Sequence, residues 1–166
     1  MKKNYLFIII ASTLLFSGCS LLQTRQTLDT NQKNIDNKNE HINNELNLSN
    51  KSLQKIPEYV FDKKSLEELD ISNNQLTGAI QGEIRHLENL KVLDASNNHM
   101  TGVPAEIGQL SKLQILNLSN NQLTGLPYEL GNLKNLKTLN ISDNQYSEID
   151  LSIIIEKLPK ETSVIK

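Results

Sequence analysis

The sequence has little of what several functional classes require. It contains one cysteine, no tryptophan and only 4% aromatic residues, and its formal net charge is −2. A single cysteine cannot form an internal disulfide framework or a cysteine-based zinc site. A near-neutral chain with few aromatic residues lacks the basic surface and the stacking side chains of nucleic-acid binders, so we expect no nucleic-acid partner.

Two residue types are instead in excess. The 166 residues include 27 leucines and 21 asparagines, and the length is that of one domain. Leucine favours burial, whereas asparagine requires hydrogen bonds, so an ordinary compact core does not explain the pair. The distribution of these two residues therefore has to be followed along the chain.

The chain begins with the pattern of an export signal. Lys2 and Lys3 precede an apolar run over residues 6–16, and the small residues 17–18 follow it. Eleven helical residues cover roughly 16 Å, whereas the apolar core of a bilayer is about 30 Å thick. The run is therefore too short for a permanent membrane span.

The string LFSGC at residues 15–19 resembles the lipobox of bacterial lipoproteins. The resemblance implies that residues 1–18 are a signal peptide and that Cys19 is the lipid attachment site. Phe16 departs from the usual leucine, and Ser20 favours the outer membrane if the organism is diderm. The alternatives are an ordinary secretory peptide with a bystander cysteine and an intracellular regulator whose first residues only imitate a signal.

Residues 19–42 are polar and have few apolar side chains after Leu22. Such a segment buries too little surface to offset its chain entropy, so we interpret it as a flexible tether with a reach of about 25–30 Å. The alternative is a short helix that caps the following domain through Leu28, Ile35 and Ile42.

A repeat begins at residue 43. The strings LNLSNKSL, LDISNNQL, LDASNNHM, LNLSNNQL and LNISDNQY start at residues 46, 69, 93, 116 and 139. A fixed period of this length indicates a solenoid of stacked repeats. The second copy is one residue longer than the others, and its string LTGAIQGEI has Gln81 where proline would stand, so its return arm is expected to be slightly displaced.

These strings resemble the leucine-rich repeat family, with the pattern LxxLxLxxNxLxxLPxxIxxLxx, over residues 43 to about 158. The resemblance implies an α/β solenoid, a right-handed coil of about five repeats with a short parallel β-sheet on its concave face. It places the domain at residues 43–166, with degenerate terminal caps. We expect a monomer.

Two sets of side chains are expected to fill the interior. Alternation in each strand directs the leucine and isoleucine of every LxL triplet to one face. The return arms supply the other wall through Ile84, Leu87, Ile107, Leu110, Leu130 and Leu133. Ile153 and Leu158 are expected in a final helical arm, followed by an edge strand at residues 163–165.

Part of the asparagine excess falls where each strand ends. The family resemblance implies that this residue points inward and bonds backbone groups of adjacent coils. The resulting ladder consists of Asn74, Asn98, Asn121 and Asn144. A buried amide is tolerated only when its hydrogen bonds are made, and losing a partner should cost about 1–3 kcal/mol.

The sequence contains no recognisable catalytic or metal-binding motif. His41, His86 and His99 are expected in the tether, on a convex arm and at a strand exit, so they cannot converge on a metal. There is no glycine-rich phosphate loop and no nucleophile motif. We therefore expect neither enzymatic activity nor a cofactor.

The concave sheet face is the remaining candidate site. One predicted row crosses the strands through Glu45, Glu68, Val92, Ile115 and Thr138. A second predicted row consists of Asn47, Asp70, Asp94, Asn117 and Asn140. Asp70 and Asp94 should lie about 5 Å apart, and a cation or basic side chain would relieve their repulsion.

These features favour a membrane-anchored module that binds a protein or peptide, with basic residues in the ligand. The lipid anchor would provide the contact with the membrane. The alternative is a structural envelope lipoprotein without a specific ligand, because the two rows vary little and contain no aromatic anchor.

Overall fold

The computed structural model of the protein describes residues 44–166. The predicted signal peptide, the anchor at Cys19 and the tether or capping helix at residues 19–42 lie outside the described residues. Their interpretation therefore stays a prediction.

One parallel sheet runs along the whole described domain. Its strand order is β1-β2-β4-β6-β7-β8. The strands are β1 (Glu45–Asn47), β2 (Glu68–Asp70), β4 (Val92–Asp94), β6 (Ile115–Asn117), β7 (Thr138–Asn140) and β8 (Ser163–Ile165). Each repeat contributes one strand of three residues, and the expected terminal edge strand completes the sheet.

The return arms are short because a coil of this length leaves few residues opposite the strand. Four of them are 3-10 helices: η1 (Glu58–Val60), η2 (Gly82–His86), η3 (Ala105–Gln109) and η4 (Tyr128–Asn132). The last arm is the α-helix α1 (Glu148–Lys157), whose N-cap Ser147 accepts a hydrogen bond from the Asp150 N–H.

The core lies between the sheet and the return arms. The six convex leucines and isoleucines expected there are all buried, as are the inward residues of β2, β4, β6 and β7. From the last arm, Leu151 and Ile154 of α1 and the C-cap Leu158 enter the core, whereas Ile153 is half-buried. The predicted solenoid with its concave parallel sheet is confirmed, and Ile153 lies in a final helical arm as expected.

The longer second repeat changes the backbone beside the sheet. Its additional residue, Ala79, follows Gly78, which has a φ of 70°. Two further strands, β3 (Thr77–Gly78) and β5 (His99–Met100), pair in parallel at this point. His99 therefore lies in a strand of a second small sheet rather than in an exit turn.

Close packing between arms requires two glycines. A Cβ added to Gly108 would lie 2.3 Å from the Glu129 carbonyl oxygen, and one added to Gly131 would lie 2.7 Å from the Lys157 Cβ. By contrast, Gly125 has no atom within 4 Å of an added Cβ. The glycines therefore include close-approach positions as well as turn residues.

No helix formed by residues 44–166 combines the length and the apolar composition needed to cross a membrane.

Candidate functional site: the concave face

The parallel register places the predicted concave residues in two continuous rows. Glu45, Glu68, Val92, Ile115 and Thr138 are successive partners across β1, β2, β4, β6 and β7. We call them the outer row. The amide row, two residues further along each strand, consists of Asn47, Asp70, Asp94, Asn117 and Asn140.

Each amide-row side chain closes the turn that leaves its own strand. The Asp94 Oδ1 accepts hydrogen bonds from the Ser96 N–H at 2.9 Å and the Ser96 hydroxyl at 2.6 Å. Asn117 accepts the same two bonds from Ser119 at 3.2 and 2.8 Å. These Asx-type turns explain why serine recurs two residues after the amide row.

The two carboxylates of the amide row are also bonded across the strands. Asn47 Nδ2 donates to the Asp70 Oδ2 at 3.0 Å, and Asn117 Nδ2 donates to the Asp94 Oδ2 at 3.0 Å. Each carboxylate therefore receives an amide from the neighbouring strand on the side away from the other carboxylate. Asp70 and Asp94 thus each have a hydrogen-bond donor within the sheet, and relief of their repulsion by a basic group of a ligand stays a prediction.

The outer row is where the face remains open. Its residues make no side-chain hydrogen bonds among those of the described domain, and Ile115 keeps 41% of its surface exposed. A shallow depression of about 240 Å³ lies over β1, β2 and β4. Its lining includes Glu45, Glu68 and Val92 from the outer row and Asp70 and Asp94 from the amide row.

A neighbouring ion pair removes one acidic side chain from this set. Glu67, which precedes β2, bonds the Lys91 ammonium at 2.6 Å. Glu67 adds an acidic residue to this half of the sheet in the sequence, but its charge is already paired with Lys91. Among residues 44–166, Glu45 and Glu68 of the outer row have no ion-pair partner.

The asparagine ladder lies beneath the strand exits. Asn98 Nδ2 donates to the carbonyls of Ile71, Ala95 and Ser96, and its Oδ1 accepts the Leu76 N–H at 3.1 Å. Asn74, Asn121 and Asn144 make the corresponding bonds in their own coils. Each amide joins two successive coils, so this row supports the site rather than contacting a ligand.

A further role of asparagine was not anticipated from the sequence. The residue before each ladder amide adopts a left-handed conformation, with φ of 54–55° at Asn73, Asn97, Asn120 and Asp143. Asparagine and aspartate tolerate this region better than other non-glycine residues. The repeated pair SN or SD before the ladder amide was the signal that could have revealed it.

No catalytic or metal centre is assembled by residues 44–166. No group of three histidine, cysteine, aspartate or glutamate side chains in this range could hold a metal ion. His86 lies on η2 and His99 on β5, while His41 precedes the described residues. The concave face instead presents carboxylates, aliphatic side chains and a hydroxyl.

Comparison with known proteins gives the family. A model described as "Leucine rich repeat" matches residues 44–100, and one described as "Leucine Rich repeats (2 copies)" matches residues 88–128 and 111–153. The chain contains a leucine-rich repeat domain. These matches begin at β1 and end inside α1, so they cover each repeat strand of the solenoid from β1 to β7.

Relatives of the leucine-rich repeat domain occur in distant organisms. A solved leucine-rich repeat protein of Leptospira interrogans is 39% identical with a TM-score of 0.63, over 68% of this chain and 28% of that chain. A second solved neighbour is the ectodomain of the Arabidopsis thaliana receptor kinase GASSHO1/SCHENGEN3 in complex with CASPARIAN STRIP INTEGRITY FACTOR 2. It is 34% identical with a TM-score of 0.54, and the match covers 60% of this chain and 13% of that chain.

The curated Leucine-rich repeat-containing protein 3 of Danio rerio is 41% identical over 63 residues, which are 37% of this chain and 24% of the relative. The chain thus spans about a quarter of the length of this protein and of the Leptospira protein. The similarity concerns the repeats.

Proposed function

We propose that the protein is a membrane-anchored module of the bacterial cell envelope that binds a protein or peptide on its concave face. The binding of a protein or peptide is proposed from the family, because leucine-rich repeat neighbours occur in complexes with partners. One example is the receptor ectodomain in complex with CASPARIAN STRIP INTEGRITY FACTOR 2. The anchor and the envelope location rest on the sequence pattern around Cys19.

The observation that carries the binding site is the open outer row. Ile115 is 41% exposed at the centre of the sheet, although its neighbours along the strand are bonded or buried. Glu45 and Glu68 lie on one side of it in the same row. A ligand with an aliphatic residue over Val92 and Ile115 and a basic residue over the two glutamates would match this order of side chains.

The lipobox-like string supports attachment at Cys19. One acyl chain gives weak, reversible membrane binding, whereas two or more hold a protein firmly. Ser20, rather than aspartate, after the cysteine favours the outer membrane in a diderm organism. The domain would then be held near the membrane and reach its ligand through residues 19–42.

A structural role without a specific ligand is the second candidate. It is favoured by the amide row, whose polar groups are engaged inside the sheet and leave few donors or acceptors for a partner.

Cross-linking and pull-down from intact cell envelopes separate the two functions. The test variant combines Glu68→Gln, Val92→Thr and Ile115→Thr, which change the outer row and leave the bonded amide row intact. The control variant combines Glu106→Gln and Glu129→Gln on the convex arms. A binding module should lose specific partners with the first variant and keep them with the second.

Partners that are recovered equally with both variants would refute the concave site. Equal thermal unfolding midpoints of the two variants would exclude a difference caused by stability. The absence of any specific partner of the unchanged protein would favour the structural role.

The anchor has its own test. Radiolabelled palmitate should enter the unchanged protein, and the label should disappear with Cys19→Ser. A wild-type chain that takes up no label would refute the lipid anchor while leaving the concave site untouched, because the two parts of the proposal rest on different residues.

A further inference from the structure

A small pocket opens on the side of the solenoid, away from the concave face. It lies between the first and second coils, next to β3, and its volume is about 130 Å³. Its walls are the apolar side chains Ile56, Leu76, Ile80 and Met100, which are all at least nine-tenths buried. Its rim is polar and includes Gln54, Lys55, Thr77 and Gln81.

The additional residue of the second repeat accounts for the pocket. Aligning LTGAIQ with MTGVP and LTGLP makes Ala79 the insertion, so that Ile80 and Gln81 take the places of Val103 and Pro104. Gly78 takes up the insertion with a φ of 70°, a conformation in which glycine carries no steric penalty. The insertion therefore lies at the pocket, and Ala79 is itself one of the lining residues.

Two side chains next to the insertion line the pocket. Gln81 Nε2 bonds the Ile56 carbonyl at 2.7 Å and bridges the two coils along one side of the pocket. Met100, only 1% exposed, occupies a position where the first, second and fourth repeats have leucine and the fifth has Tyr146. Methionine fills irregular gaps because its side chain is unbranched and polarizable.

The size and lining of the pocket define what it can hold. An engineered apolar cavity of roughly 150 Å³ in another protein stays dry and binds benzene or xenon. A pocket of about 130 Å³ therefore has room for one aliphatic side chain. A charged group is disfavoured, since the walls are aliphatic and offer nothing to pair a buried charge.

The neighbouring backbone supplies a second contact. Within the described domain β3 pairs only with β5, and the first coil adds no strand to that small sheet. An extended segment lying along the open side of β3 could add main-chain hydrogen bonds while one of its side chains enters the pocket. The acidic groups Glu58, Asp62 and Glu83 line the adjoining surface together with Lys55, which disfavours an anionic segment.

We infer that this pocket is a second recognition site, which takes a leucine, isoleucine or valine side chain from an extended, non-anionic segment of a partner protein. The site uses none of the outer-row residues. A failure of either proposal therefore leaves the other standing.

The pocket contains its own reporter. The full chain has two methionines, Met1 and Met100, so labelling with methyl-¹³C methionine gives one resonance from the pocket wall. N-acetyl-leucinamide serves as the probe and N-acetyl-alaninamide as its matched control. We expect a saturable shift of the Met100 methyl with a roughly millimolar dissociation constant, and at least about tenfold weaker binding of the alanine compound.

Two variants locate the effect. Deleting Ala79 restores the length of the other repeats and should abolish the shift. Gly125→Ala alters the equivalent loop of the fourth repeat, where an added Cβ meets nothing within 4 Å, and should leave binding unchanged. Intermolecular NOEs between the Met100 methyl and the leucine methyls provide a test that does not depend on the folding of any variant.

The inference is overturned if the leucine compound gives neither a saturable shift nor an NOE to Met100. It is also overturned if the alanine compound binds equally well, or if a folded chain without Ala79 retains the binding.

Discussion

Replacing one ladder amide tests how the solenoid is held together. Asn98 is 4% exposed and makes four hydrogen bonds to backbone groups of its own and the preceding coil. Asn98→Ala removes all four bonds at a position that is shielded from solvent. We expect the free energy of unfolding to fall markedly, with the sheet otherwise unchanged.

The size of the loss in unfolding free energy depends on which backbone groups keep another hydrogen-bond partner in the variant. The Ile71 carbonyl still accepts from Asn74, and the Ala95 carbonyl still accepts from Asn121. The Leu76 N–H has no second acceptor among the residues described here, and an orphaned buried donor costs about 1–3 kcal/mol. Adding the weakened carbonyl bonds gives a loss of about 2–4 kcal/mol. The total stability of a domain this size is roughly 6–18 kcal/mol.

Urea unfolding followed by circular dichroism measures this loss. Asn132→Ala is the matched control, because Asn132 is exposed on η4 and makes no side-chain hydrogen bond within the described domain. Its effect should stay within about 0.5 kcal/mol. If Asn98→Ala costs no more than Asn132→Ala, the ladder does not support the fold and the reasoning is refuted.

The isosteric change Asn98→Asp adds a pH-dependent test. The new carboxylate would keep the acceptor but face three carbonyl oxygens, so burial and repulsion should raise its pKa in the folded state. Because the unfolded carboxyl ionises first, the destabilisation should be largest above the folded pKa and should shrink as the pH falls towards the unfolded pKa of about 3.9. A destabilisation that does not change over this range would contradict the inward position of the amide.

Two further predictions concern the convex side. Gly108→Ala should lower the free energy of unfolding in urea by about 1–3 kcal/mol, because the new Cβ would lie 2.3 Å from the Glu129 carbonyl oxygen. In the control Gly125→Ala the new Cβ meets nothing within 4 Å. Equal effects of the two variants would refute the close approach of the arms. The Tyr128 hydroxyl donates a hydrogen bond of 2.9 Å to Asp150, and this bond together with the negative charge of the Asp150 carboxylate raises the pKa of Tyr128 above 10.0. Asp150→Asn should therefore lower the pKa of Tyr128 in an ultraviolet titration. Because the folded pKa is raised, the stabilisation from this bond is present below pH 10 and is lost as the pH rises through the folded pKa. An unchanged titration would show that Asp150 does not act on the phenol.

The repeat period was sufficient to predict the register of the sheet. Glu68 and Val92 are 24 residues apart and Val92 and Ile115 are 23 apart, and both pairs are strand partners. This works because each coil begins its strand with the same pattern, so equivalent residues stack even where one coil is a residue longer. The period also indicated the buried face of each strand, since alternation alone decides which side chains point inward.

The chemistry of the concave face could not be predicted in the same way. The sequence shows Asp70 and Asp94 as neighbouring charges, but not that Asn47 and Asn117 bond them from either side. These bonds depend on side-chain rotamers chosen between strands that are 23 residues apart in sequence. The sequence predicted that the outer-row residues align across the strands. That they are more exposed than the amide row became clear only from the packing.

The sequence by itself determined the period, the strand positions and the buried leucines, and it predicts export and lipidation at Cys19. Each of these is encoded locally, by a string that is read within one repeat or one segment. The tertiary structure decided how coils fit against each other: which glycine lies under a neighbouring arm, which carboxylate is already bonded, and where the additional Ala79 opens a pocket. Those outcomes depend on distances between residues of different repeats. Repeats with nearly the same sequence do not reveal these distances until one residue departs from the pattern.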